Sequence, residues 1–458
     1  MWHSGLALIC LWLGLACFSQ ANAATATNSL VWNKEKDRVD ADIRGWELLS
    51  LLERVAAETG WQVYVEPDTA HNSSVKFKNQ ASGQALRLLL GDLNFALVPQ
   101  TNGSPRLYVF RTAMHRATRL IRPPGNLARD SQPKRVPNQL IVRLKPGADI
   151  EKWARTLGAK VAGRIPELNA YLLEFDDPAA ADAARLQLGS GSDVAAVDYN
   201  YYYDQPEPAR GLLAASTAPL SLQLKPPGDS GRIIVGLIDT AVQPLGPDLD
   251  AFFLKQISVA GQAAVSSSSP SHGTAMAETI LRSLEVVTKG GTSAQILPVD
   301  VYGPNGETSS WNVALGILQA VNNGANVINL SLGGGGDSSV LRDLIASVSQ
   351  RGIPIFAAAG NEPVATPFFP AAYPQVIAVT AVEQGRIADY ANFGSFVDVA
   401  APDSSIVYSG NRPWYVRGTS ASAAYTTGMA AGLADTTHRS WSDIRAIILR
   451  NFPVPSGK

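Results

Sequence analysis

Apolar positions along this chain fall into three regimes of spacing, and each predicts a different architecture. Over residues 30–111, short apolar runs flank one stretch of helical spacing, Trp46-Glu47-Leu48-Leu49-Ser50-Leu51-Leu52-Glu53-Arg54-Val55, which Gly60 stops before the run Trp61–Val65. A second helical stretch, Gln84–Leu90, ends at Gly91 and leads into Phe95–Val98. The order strand, helix, strand, strand, helix, strand predicts a small α+β domain. Residues 138–203 predict another, with strands at Gln139–Leu144, Ala170–Phe175 and Val194–Asn200 and helices at Ile150–Leu157 and Ala179–Leu188. From residue 231 onward the strands are apolar throughout: Ile233–Ile238, Ile296–Tyr302, Val327–Leu332, Ile353–Ala358 and Val376–Val382. Amphipathic stretches starting near His272, Ser309 and Ser338 separate them. Strands buried on both faces and separated by helices require a parallel sheet covered on both sides, so residues 231–458 predict an α/β, doubly wound, parallel domain. Its last helix is announced by the capping box Ser440-Trp441-Ser442-Asp443, followed by apolar Ile444, Ile447 and Ile448.

The stretches between these domains differ in character. Residues 112–137 are basic, in a run from Arg111 through Arg116, Arg119, Arg122 and Arg129 to Lys134-Arg135, and with their prolines they read as a solvated linker. Residues 204–230, rich in Pro, Ala, Gly and Ser, read as a second, exposed linker. A formal net charge of -1 with 17% charged residues argues against capture of nucleic acid, so none is expected as a partner. Leu6–Phe18 is apolar but too short to span a bilayer, and Ala21-Asn22-Ala23 follows it as a small-x-small pattern. Residues 1–23 therefore read as a signal peptide, and the chain is expected to be exported. Both cysteines, Cys10 and Cys17, fall in this leader, so the mature chain would have no disulfide and no cysteine metal site. No later segment is long and apolar enough to cross a membrane.

The candidate chemistry centres on Gly418-Thr419-Ser420, a serine on a tight turn before the small-residue run Ala421–Gly432. A serine hydroxyl attacks a carbonyl only when a base takes its proton, a third group orients the base and donors meet the oxyanion. Of five histidines, only His272 is placed like a base: it opens His272-Gly273-Thr274 between a polar loop and a helical run. Asp239 closes the apolar run Ile233–Ile238, at the strand end where parallel sheets place their ligands, and is the orienting carboxylate. Asn361, in Ala357-Ala358-Ala359-Gly360-Asn361, is the oxyanion donor. Each has a bland reading: a turn aspartate, a helix-start histidine, an asparagine in a left-handed turn, a packing serine. Their joint order, Asp, His, Ser, is what one mechanism needs. Ser422 is the local competitor as nucleophile but lacks the Gly-Thr turn.

Asp239-Thr240, His272-Gly273-Thr274, Gly360-Asn361 and Gly418-Thr419-Ser420 together resemble the four motifs of the subtilisin-like serine proteases, in that family's order. The resemblance implies a peptide-hydrolysing domain over residues 231–458, with substrate along Ser331-Leu332-Gly333-Gly334. Ala241, Ala275 and Ala424 depart from the family pattern, in which Gly, His and Pro are usual at these places. A catalytically inactive scaffold of the same fold is the alternative reading. Gly418-Thr419-Ser420-Ala421-Ser422 is also close to the serine motif of the serine-carboxyl peptidases, which place acidic residues where this chain has His272 and Asn361. Alanines 357–359 suggest a pocket that accepts large side chains before the cleaved bond. Family members often bind calcium; no ligand set and no other cofactor is legible here. Residues 138–203 resemble the pro-segment of bacterial enzymes of this family, through Leu140–Gly147, Leu168-Asn169-Ala170-Tyr171 and Val197-Asp198-Tyr199-Asn200-Tyr201. Residues 30–111, through Thr59-Gly60-Trp61-Gln62-Val63, resemble the short N-terminal domain of secretins and TonB-dependent receptors. That likeness implies an envelope protein partner and a periplasmic or extracellular location in a Gram-negative-type bacterium.

Overall fold

The computed structural model describes residues 28–455 apart from 35, 68, 100–104, 118, 122–132, 213–219, 229–230, 264–268 and 411. The expected leader, with Cys10 and Cys17, lies outside the described residues, as do Arg122 and Arg129 of the basic run. The chain divides into two units, Met1–Asn126 and Leu127–Lys458.

In the first unit, helices Leu48–Thr59 and Ser82–Leu90 share one core with two small sheets. One sheet is antiparallel, Ser29–Asn33, Arg38–Glu47 and Asn72–Gln80; the other runs Asn94–Val98, Arg106–Phe110, Gln62–Val65, Arg119–Ile121. Two sequence expectations need correction. Trp46 and Glu47 end a strand instead of opening the first helix: the alternation that buries Val39, Ala41 and Ile43 breaks at Gly45, the register shifts, and Trp46 and Glu47 still pair with Ser73 and Asn72 before the helix starts at Leu48. The basic linker also starts later than residue 112. Arg119–Ile121 pairs antiparallel with Gln62–Val65, and the buried Glu66 carboxylate accepts the N–H groups of Arg111 and Thr112 at 2.7 and 3.0 Å.

The second unit opens with an antiparallel sheet of Arg135–Leu144, Lys160–Ile165, Ala170–Glu174 and Val194–Tyr203. The linker therefore ends before Arg135. Lys160–Ile165 was not foreseen; it is an edge strand in which Lys160, Ala162 and Arg164 dilute the apolar signal. Helices Ile150–Leu157 and Pro178–Gly189 are capped by Asp149 and Asp177. Strand alternation then divides the side chains. Leu140, Val142 and Leu144 pack beneath these helices, while Ile141 and Leu172 enter the core of the following domain and Arg143 pairs with Asp343 there.

That following domain holds an eight-stranded sheet in the order Ile257–Ser258, Gln295–Asp300, Ile234–Asp239, Val327–Leu330, Ile355–Ala358, Val376–Glu383, Arg386–Ile387, with Val399–Pro402 also on Val376–Glu383. Every pairing is parallel except the last hairpin to Arg386–Ile387. Helices Ser310–Asn322 and Ser339–Gln350 cover one face and His272–Thr288 and Thr419–Thr437 the other, as a doubly wound parallel sheet requires. Ser309, Ser338 and Ser440 cap the helices that follow them.

The stretch 204–230 is not simply an exposed linker. Arg210–Gly211 pairs with Trp414–Tyr415 on the edge strand Arg412–Arg417, and Gln223–Leu224 lies parallel to Gly291–Thr292. Ala209 and Leu222 are buried. Its small-residue composition hid the two places where an unpaired strand edge takes up its backbone.

Candidate active site

Asp239 is the last residue of its strand and fully buried, at the carboxyl edge of the parallel sheet. Its Oδ1 accepts the Thr240 N–H at 2.7 Å, and its two oxygens lie 2.8 and 2.9 Å from His272 Nδ1. An oxygen already accepting from an amide is an acceptor, so Nδ1 carries the proton and Nε2 is left as the acceptor of the ring. The motif neighbours hold that geometry. Ser271 caps the helix through Thr274 N and donates its own hydroxyl to Ala241 O at 2.6 Å, tying the helix start to the loop after Asp239. Gly273 N donates to Thr240 Oγ1 at 2.8 Å, and a Cβ on Gly273 would stand 3.2 Å from that oxygen and closer still to the Thr240 carbonyl. Only glycine permits the approach. Tyr302 is buried nearby; burial, and then the charges of Asp239 and Asp204, pushes its phenol well above the usual range, so it stays neutral.

Ser420 sits in the first turn of the helix Thr419–Thr437, where the N–H groups have no intrahelical acceptor. Gly418 precedes the turn at φ 143°, and a Cβ there would lie 3.1 Å from Asn361 Nδ2. Thr419 N and Thr419 Oγ1 both donate to Asn361 Oδ1, at 2.9 and 3.0 Å. A backbone N–H can meet only the amide oxygen, so Oδ1 is the atom bound to Thr419 and Nδ2 remains as the donor of this amide, near Gly418. The Ser420 hydroxyl donates to the Ser331 carbonyl at 3.1 Å, and the Ser331 hydroxyl returns a bond to the Ser420 carbonyl at 3.0 Å. Behind Ser331, Asn329 and Thr427 continue a buried chain of bonds at 2.9 Å each. Gly428 and Gly432 let this helix close on the histidine helix, since a Cβ at either would meet Ile280 and Ser283, or Val287, within 3 Å.

The structure thus brings Asp239 and His272 into direct contact and sets Asn361 beside the Ser420 turn. The sequence expectation for Ser331–Gly334 needs refinement. The sheet ladder ends at Leu330, Ser331 and Leu332 follow it, and Gly334 exchanges both backbone bonds with Phe369 at 2.7 and 2.8 Å. Thr240, Thr419, Asn329 and Thr427 were missed as site residues, although the first two lie inside the motifs themselves. Ser422 is fully buried and donates to the Pro402 carbonyl at 2.8 Å, so it faces away from the cleft. Ser422→Ala is expected to cost about 1 kcal/mol of stability, read by denaturant unfolding, while Ser420 keeps its reactivity toward an active-site probe.

The strand Val194–Tyr203 meets this region from outside. Tyr202 and Tyr203 pair with Ser309 and Thr308, extending the preceding sheet across the domain boundary. The Tyr203 ring and the Tyr202 carbonyl both reach Gly334, where a Cβ would stand 2.9 Å from Tyr203 Cδ1 and 3.3 Å from Tyr202 O, while both residues pair with Thr308–Ser309. Asn200 accepts from Ser310 Oγ and Trp311 N at 3.1 Å, and Asp198 accepts from Ser339 N at 2.7 Å. Both acceptors thus sit at helix N-termini, where oxygen and negative charge are favoured. A cavity of about 240 Å³ lined by Gln139, Asn200, Tyr202, Thr308 and Asn312 lies at this junction, not at Ser420. Among the described residues no group of three or more His, Cys, Asp or Glu is arranged to hold a metal ion, and no helix is long and apolar enough to cross a membrane.

Comparison with known proteins gives a family match. Residues 230–455 match the model of the subtilase family, and residues 122–200 match that of the fervidolysin N-terminal prodomain. The chain is 37% identical over 215 residues to the thermophilic serine proteinase of Bacillus sp. (strain AK1), covering 45% of this chain and 53% of that protein. It is 33% identical over 220 residues to thermitase of Thermoactinomyces vulgaris, covering 47% of this chain and 78% of thermitase. The chain spans about half the length of the first curated relatives it matches. Among solved structures, fervidolysin from Fervidobacterium pennivorans, a keratinolytic enzyme related to subtilisin, superposes with a TM-score of 0.53 at 20% identity, over 67% of this chain and 56% of that one. The epidermin leader peptide processing serine protease of Staphylococcus aureus does so at 0.53 and 16%, over 68% and 92%. At these identities the two structures speak for the fold.

Proposed function

The chain belongs to the subtilase family, and from that premise we propose that it is a serine endopeptidase carrying its own pro-segment. The observation that carries the reading is the His272 ring held by both Asp239 oxygens, on a helix packed against the one that presents Ser420. Ser420 leaves the Ser331 carbonyl by a turn about χ1 and gives its proton to His272 Nε2 as it attacks the scissile carbonyl. Asp239 fixes the ring and stabilises the imidazolium, and His272 then protonates the leaving amine. Asn361 Nδ2 and the Ser420 N–H meet the oxyanion. The departures at Ala241, Ala275 and Ala424 remove none of these atoms; all three are buried alanines. Covalent labelling by a fluorophosphonate probe that disappears in Ser420→Ala tests the reading. Absence of labelling in the folded, processed chain would leave the fold without its chemistry. Asn361→Ala is expected to lower kcat by about 10²- to 10³-fold with little change in KM, measured on a peptide anilide.

Residues 138–203 are read as inhibitor and folding template. Support comes from the match to the fervidolysin prodomain and from the strand shared with Thr308–Ser309. The chain is read as exported, to the periplasm or the medium of a Gram-negative-type bacterium, with residues 30–111 docking on an envelope protein. The support for docking is the resemblance to secretin and receptor domains, together with a self-contained core that holds no candidate catalytic group. Deleting residues 28–121, which removes this core with its last strand Arg119–Ile121, is expected to leave hydrolysis of small peptides nearly unchanged while reducing capture of the natural substrate. Pull-down against envelope extract and a peptide assay on the same preparation check both halves.

A further inference from the structure

The two segments that flank the reacting atoms are separated by one aromatic ring. On one side runs Ser331-Leu332-Gly333, which holds the Ser420 hydroxyl; on the other runs Ala357–Asn361, which carries the oxyanion amide. A substrate with its carbonyl carbon at Ser420, its oxygen at Asn361 and its backbone along Leu332-Gly333 must send the side chain before the scissile bond into the gap between them. Phe368 is in that gap. A Cβ on Gly333 would stand 2.9 Å from Phe368 Cδ1 and nearer still to Cε1, and a Cβ on Gly360 would stand 3.2 Å from Phe368 Cγ. The ring therefore touches both walls, and it does so because each wall presents a glycine at that point. Its neighbour Phe369 is pinned by two backbone bonds to Gly334 and by ring contact with Tyr373 at 4.9 Å between centroids, which limits how far Phe368 can withdraw. The alanines 357–359 are small, but the room they would leave is taken.

We propose that Phe368 is the specificity-determining residue of this site: it fills most of the pocket for the residue before the cleaved bond and restricts cleavage to positions after Gly, Ala or Ser. This corrects the expectation of a pocket for large side chains, which counted the walls without the ring. The proposal rests on the endopeptidase reading above.

The test uses the full chain, with active sites counted by a fluorophosphonate probe, and tetrapeptide anilides differing only in the residue before the anilide: Gly, Ala, Leu or Phe. For the wild type, kcat/KM with Ala is expected to exceed that with Phe by at least about 100-fold, since a misfit of several methylenes in a closed pocket is worth that much or more. In Phe368→Ala the ratio is expected to fall to about tenfold or less, through a gain on the Phe peptide. Phe368→Leu, which keeps most of the packing volume, is expected to fall between. Equal or better turnover of the Phe or Leu peptide by the wild type overturns the proposal even if neither variant folds. So does an unchanged ratio in a folded Phe368→Ala protein. If the probe labels nothing and no anilide is cleaved, the endopeptidase reading itself is wrong and this one with it.

Discussion

Replacing Ser420 or His272 by Ala is expected to lower kcat/KM for a peptide by about 10⁴- to 10⁶-fold, and Asp239→Ala by at least about 10⁴-fold. The reason the losses are alike is geometric. Among the described residues Asp239 is the only side chain bonded to His272 Nδ1, so without it the ring loses both its orientation and the tautomer that leaves Nε2 free to accept. Without the ring, the Ser420 hydroxyl keeps its bond to Ser331 and has no acceptor for its proton as it attacks. What survives any single loss is the oxyanion site and substrate binding. A double variant should therefore be scarcely slower than the worse single one, and steady-state kinetics on folded proteins would read that non-additivity directly. Full activity in His272→Ala would remove the mechanism.

Omitting residues 133–203 is expected to be nearly as severe, for a different reason. A chain starting at Asp204, which keeps the two short pairings of residues 204–230, should gain no measurable activity until residues 133–203 are supplied in trans. The parallel sheet joins strands far apart in sequence, as where Ile234–Asp239 pairs with Val327–Leu330, and such topologies fold slowly because loops must close before contacts reward them. The pro-segment offers a ready surface on which they can close. Ile141 and Leu172 bury against the domain, Trp311 packs over Gly163, and the starts of two helices find acceptors in Asn200 and Asp198. Refolding followed by peptide assay, with and without the added segment, decides it; unaided recovery by the short chain would reduce residues 133–203 to a spacer.

The sheet and its helices were legible because buried parallel strands write uninterrupted apolar runs, and because Ser309, Ser338 and Ser440 mark helix starts in their own chemistry. Asp239, His272, Asn361 and Ser420 were legible because each sits in a short motif whose neighbours are needed locally, such as Gly273 for its approach to Thr240. What escaped was set by partners distant in sequence. Lys160–Ile165 and Arg119–Ile121 are edge strands with a diluted pattern, defined by the strand they join. Phe368 reads as one more loop aromatic until the fold places Gly333 and Gly360 on either side of it.

The two short pairings in residues 204–230 separate cutting from parting. Gly211 is held on the Arg412–Arg417 strand and Gln223 on Gly291–Thr292, so a single cut between them severs the chain but lets go of neither end. The nicked molecule would still run as one particle in gel filtration while showing two bands under denaturing conditions. Release from the inhibition proposed for residues 138–203 would then be set by how long these pairings last and not by how fast the bond was broken.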